Sequence, residues 1–295
     1  MASPDAEIPA SQRQAGSQAR GGGGFAAKGV GRLVIWEVTI PPMLSVLLPA
    51  VAAGCLVHPI ALDAQIGKRA LPWLPPDLAR QIVRHERDFA RGAASAVRWP
   101  ESLHRPGGEE GVETAVVAQC ERLVSAIRRR TPFSEVVAGL GALAHLVLDA
   151  HWPFPNGRTP DGAAFGNYVM AASPRIPMVF YGQNMVMIRG PSTGLRRLLL
   201  GRTAQQHRLA GLAAEDLARF GGPSQWRRLD DRSTSFAIAS LTINHATTDF
   251  VNLASWVWYH GGGLVPEMQQ APDALLVWRG EPQPREAPRP HLGFR

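Results

Sequence analysis

The chain has 295 residues, 45% of them apolar and 19% charged, a balance that supplies a sizeable core and excludes a wholly disordered polypeptide. Its formal charge of +7 comes mostly from Arg; no Lys/Arg run is interleaved with aromatics, so the charge reads as a solvated basic surface rather than a dedicated nucleic-acid reader. Two cysteines, Cys55 and Cys120, exclude a disulfide framework and a CxxC zinc knuckle, which leaves His and carboxylate side chains to bind any zinc.

Residues 1–31 are rich in Ala, Gly, Ser and Gln, include the run Gly21–Gly24 and show no apolar periodicity, which predicts a disordered extension. Residues 32–57 are apolar, but Glu37, Pro41, Pro42 and Pro49 interrupt them and make a poor membrane-spanning helix. Met43–Ala53 has the length of a signal-peptide apolar segment, and Ala52-Ala53-Gly54-Cys55 resembles a bacterial lipobox whose Cys would be acylated. The expectation is an exported bacterial protein, periplasmic, secreted or held at a membrane through this segment. A buried helix or a membrane hairpin is the other reading of the same residues.

From His58 onward the punctuation is helical, and few Val/Ile alternations point to strands. His58–Ala70 reads as a short helix stopped before Pro72. Pro75-Pro76-Asp77 starts another, with Leu78, Ile82, His85 and Phe89 on one face. Glu109–Arg130 is amphipathic, acidic at its start and basic at Arg128–Arg130, as the helix dipole favours. Ser134–His151 is apolar nearly all round, Leu195–Phe220 is long and amphipathic, and Thr234–His260 is again mostly apolar. Two apolar helices wrapped by amphipathic ones predict an all-α domain over residues 58–265, a compact multi-helix bundle. Residues 266–295 form a Pro-rich tail.

The chemistry concentrates on the two apolar helices. His145 and Asp149 lie four residues apart on Ser134–His151, and buried charge is costly unless paired or bound to a cation. Residues at i and i+4 share a face, about 6 Å apart, which suits two ligands of one metal. Taken alone, the pair reads as a core His held by an Asp. The pattern recurs at His245 and Asp249, and inward imidazole and carboxylate pairs on facing helices are how bundles build metal sites.

These residues resemble the zinc-dependent phospholipase C and single-strand nuclease superfamily. His145-Leu-Val-Leu-Asp149, followed by Pro153, is similar to its His-x-x-x-Asp helix, and His58-Pro-Ile-Ala-Leu-Asp-Ala to its first His helix. The segment from His85 to His104 resembles its second block, and His245–Asp249 its last pair. The resemblance implies one to three zinc ions: one on His104, His145 and Asp149, a second sharing Asp149 with His58, a third on His245 and Asp249. It further implies hydrolysis of a phosphodiester, in a phospholipid or a nucleic acid, with Asp149 bridging metals and Glu101 orienting water. No specific protein partner is implied. The family's later His falls on Pro155, which cannot ligate, so that His151 or Asn156 would have to take its place, and its second-block carboxylate is missing at Ser95-Ala96, where Glu101 is the nearest substitute. Those departures leave open a non-catalytic, degenerate member acting as a membrane-anchored structural or binding protein.

Overall fold

The computed structural model describes residues 57–107, 110–155 and 157–267. The expected N-terminal extension, the apolar segment up to residue 56, Asn156 and the tail beyond Glu267 lie outside the described residues. Among the described residues there is no β-strand, and the architecture is all-α.

Helix α5 (Phe133–His151) is the axis of the fold, packed against α1 (Ala61–Ala70), α3 (Glu86–Ala96), α4 (Val112–Arg128), α8 (Ser192–Arg219) and α9 (Thr234–His260). Every residue from Leu140 to His151 is buried, so its all-round apolar character is met by helices on all sides. It is the one described helix long and apolar enough to cross a membrane, and 72% of its apolar window is buried inside the protein. The helix stops at Trp152, whose extended backbone (φ −80°, ψ 129°) is what the following Pro153 requires. Helix α9 begins where Ser233 accepts a hydrogen bond from the Phe236 amide at 3.2 Å, and it keeps the bounds predicted for it.

The closest approach in the bundle is between α3 and α5. A Cβ placed on Gly92 would sit 1.7 Å from the Ala138 carbonyl oxygen, and one on Gly141 would sit 1.9 Å from that of Phe89. Backbone there meets backbone, and only the absence of a side chain permits it. The Phe89 ring, one turn earlier on α3, makes an edge contact with Phe250 of α9 (centroids 6.0 Å apart) and ties the three helices together.

Several local expectations shift. The helix predicted from Pro76 is two: α2 (Pro76–Arg84) ends at His85, whose φ −115° and ψ 33° break the run before α3. His85 therefore turns toward Asp88 (3.3 Å) and is a quarter exposed instead of joining the apolar face. Helices α6 (Pro160–Ala172) and α7 (Met185–Arg189) were not expected. The signal for α6 is present in Thr159-Pro160: the Thr hydroxyl caps the Gly162 amide at 3.1 Å and Pro occupies the first turn.

Between α6 and α7 an extended strap runs along α9 and is clasped by side chains spaced four apart. The Val179 amide donates to Asn244 Oδ1 (3.1 Å), Tyr181 to Thr248 Oγ1 (3.3 Å) and Asn184 to Asn252 Oδ1 (2.8 Å). Asn244 and Asn252 donate back to the carbonyls of Pro177 and Gly182, and Trp256 Nε1 to that of Gly190.

The glycine contacts give a paired test. Gly92→Ala or Gly141→Ala must push α3 off α5, and overpacking of this kind costs about 1–3 kcal/mol or more. Gly211→Ala in α8, where a Cβ meets nothing within 4 Å, should instead stabilise by about 0.5–1 kcal/mol through helix propensity. Urea unfolding midpoints of the three variants check the opposite signs.

Candidate metal centre

Three segments deliver five ionisable side chains to one buried point. Helix α5 contributes His145 and Asp149, the start of α1 contributes His58 and Asp63, and the 3-10 turn Glu101–His104 contributes His104. Residue exposures run from 0% for Asp63 and His104 to 3% for Asp149. His58, His104, His145 and Asp149 are thus brought together from positions far apart in sequence.

Asp63 was not singled out from the sequence. It lies on the face of α1 that also buries Ile66, Gly67 and Ala70, so an acidic residue on an apolar stripe was the available signal.

Asp149 Oδ2 accepts from His104 Nδ1 at 2.7 Å, and Asp63 Oδ2 accepts from His145 Nδ1 at 2.9 Å. Because a carboxylate only accepts, each Nδ1 carries the proton and each Nε2 faces away from its partner. That arrangement orients a metal-binding imidazole through an outer carboxylate. Five buried atoms then have no hydrogen-bond partner: Nε2 of His58, His104 and His145, and Oδ1 of Asp63 and Asp149.

Their spacing is informative. His58 Nε2 lies 3.3 Å from Asp149 Oδ1 and 3.5 Å from Asp63 Oδ1, and His145 Nε2 lies 3.5 Å from Asp149 Oδ2. These gaps are long for hydrogen bonds, but ligands bound at about 2.05 Å around a tetrahedral zinc stand roughly 3.3 Å apart. One ligand atom each from His58, His145 and Asp149 falls within a 4.8 Å span. A divalent cation fits this donor set. Trp152 packs its ring 5.6 Å from that of His58 and, with Phe165, walls the group off; Phe154 and Tyr168 are likewise buried.

The electrostatics agree. Burial opposes ionisation of His145, but Asp149 and then Asp63 outweigh it and push the imidazole up to about 9. Burial likewise opposes ionisation of Asp149, yet His145, His104 and His58 together hold its carboxyl below the ordinary carboxylate value.

A second group lies where α5, α8 and α9 meet. Asp249 Oδ2 accepts from His151 Nε2 and from Arg202 Nε, both at 2.9 Å. His245 does not join it by a hydrogen bond; its ring stacks on Tyr181 of the strap (centroids 4.5 Å, 9° between planes). Burial, then the charges of Arg202 and His151, push that imidazole down to about 4. Glu101 stands apart: its carboxylate, 41% exposed, pairs with Arg105 at the surface. The sequence offers His151 as a substitute for the family's later His, and it is His151 that meets Asp249; Arg202 was missed, since that pairing has no local spacing to reveal it.

No family model and no curated protein matches the sequence. Among solved structures the chain is similar to Clostridium perfringens alpha-toxin isolated from avian strain SWCP. The identity is 9% and the TM-score 0.50, over 70% of this chain and 64% of that one. The likeness is one of fold, and the chain spans less than two thirds of the toxin's length.

The His145 shift predicts a pH-dependent metal-free protein. A folded value near 9, above the ordinary 6.5, stabilises below pH 6.5 and loses that contribution as pH rises through 9. The loss is on the order of 3 kcal/mol. Urea midpoints of chelator-treated protein should fall over that window, and zinc uptake should release protons and strengthen with pH across it.

Proposed function

We propose that this protein is a zinc-dependent hydrolase of phosphodiesters whose metal is held among His58, Asp63, His104, His145 and Asp149. The observation that carries the reading is a set of five buried ligand atoms that no hydrogen bond satisfies, with ligand atoms of His58, His145 and Asp149 within 4.8 Å of one another. The motif resemblance and the fold likeness to alpha-toxin support a hydrolase of this coarse kind. Zinc bound there supplies an activated water and a counter-charge for phosphate oxygens. Asp63 holds His145 through Nδ1, Asp149 holds His104 in the same way, and the Trp152 wall keeps bulk water from the ligands. Glu101, paired with Arg105 at the surface on the turn that carries His104, is the residue the resemblance offers for orienting water. The apolar segment before Val57 supports export of the chain, with Cys55 as the anchor point on a membrane.

A second reading rests on burial. All five side chains are shielded, and structural zinc sites are closed by four protein ligands, whereas catalytic ones keep an open position. On that reading the chain is a non-catalytic binding or structural protein that carries zinc for stability.

One set of measurements separates the readings. The full chain should bind zinc, cleave bis-p-nitrophenyl phosphate, and lose cleavage to a chelator with recovery on zinc addition. Phosphatidylcholine vesicles and single-stranded DNA then tell the substrate classes apart. Asp149→Asn should abolish zinc binding and cleavage together. Asp63→Asn, which removes the orienting carboxylate, should weaken zinc affinity about 10–100-fold. Zinc binding with no cleavage of any of these substrates selects the structural site; absence of zinc binding sinks both readings.

A further inference from the structure

The second histidine–carboxylate group differs from the first in holding an arginine. Asp249 is 2% exposed, and its Oδ2 takes both the His151 and the Arg202 contacts. Arg202 reaches it from α8, its side chain 24% exposed, so the guanidinium spans from the surface to a buried carboxylate. A guanidinium stays protonated at every ordinary pH, and the Asp249 charge is therefore balanced permanently within the chain.

His151 is engaged on both sides of its ring. Its Nδ1 faces the Val147 carbonyl at 2.8 Å and its Nε2 faces Asp249 at 2.9 Å. Both partners are acceptors, so neither ring nitrogen has a lone pair aimed at open space. In the first group three imidazoles each leave Nε2 without a partner, whereas beside Asp249 the unpartnered imidazole nitrogen is Nδ1 of His245, whose ring stacks on Tyr181. A divalent ion beside Asp249 would also sit against the Arg202 charge.

We propose that Arg202 is the resident cation of the His151–Asp249 group, standing where a metal ion would otherwise balance the carboxylate, so that the chain carries no metal at His151, His245 or Asp249. The inference goes beyond the proposed activity and does not require the first group to bind zinc.

The test is the zinc content per chain of full-length protein, loaded with zinc, freed of excess by gel filtration and measured by elemental mass spectrometry. Asp249→Asn and His245→Ala should leave the wild-type count unchanged, and so should Arg202→Lys, which keeps the charge. Arg202→Met, which bares Asp249, should gain one zinc. Loss of one zinc in Asp249→Asn or His245→Ala overturns the proposal, and so does a wild-type count in folded Arg202→Met. Circular dichroism identifies any variant that fails to fold, and His245→Ala, altering a partly exposed side chain, decides the matter if the two buried changes do so. Failure of the first metal site reads differently: the wild type then carries no zinc while Arg202→Met still gains one.

Discussion

Two carboxylates, Asp63 and Asp149, sit fully desolvated inside a bundle built mostly of hydrocarbon, and much of the surrounding architecture answers to them. A buried anion is tolerated only when opposite charge and hydrogen bonds replace the water it has lost. Here His104 and His145 supply one donor to each carboxylate and leave the other oxygen bare. The cluster is thus half satisfied by its own hydrogen bonds, and the bare atoms form a donor set that a cation fits. The Asp249 group faces the same demand and meets it with Arg202. The two groups share helix α5, yet one carboxylate is balanced by an arginine of the chain and the other group leaves ligand atoms without partners.

That arrangement depends on how tightly the helices are drawn together. The α3–α5 contact across Gly92 and Gly141 brings two backbones into touch, and the chain leaving α3 passes directly to the turn that carries His104. A looser crossing would displace that turn relative to Asp149, whose bond to His104 is the shortest in the cluster. Backbone packing that involves none of the ligand side chains therefore sets their geometry.

The parts of this design visible in the sequence are those with a local period. Helices α5 and α9 announce themselves by apolar residues on every face, and His145, Asp149, His245 and Asp249 stand out against that background. Asp63 is equally legible as an acidic residue on the apolar stripe of α1. The break at His85 was not legible, because apolar positions continue in phase across it. What no local pattern encodes is the choice of partner. Asp249 lies four residues from His245, as Asp149 does from His145, yet its hydrogen bonds go to Arg202 and His151, 47 and 98 residues away. Tertiary packing selects among partners that spacing alone makes equivalent.

The strap along α9 works like a vernier. Two residues of extended chain advance about 6.6 Å while four residues of helix advance about 6.0 Å, so each clasp falls roughly 0.6 Å further out of step than the last. Val179 and Tyr181 keep the two-residue step against Asn244 and Thr248, and the third clasp falls on Asn184 instead of residue 183. Gly182, at φ 97°, lies between the second and third clasps, and the chain coils into α7 directly after Asn184. The length of the strap is thereby limited by arithmetic rather than by sequence: a longer extended run on this helix would lose its hydrogen bonds to accumulated mismatch.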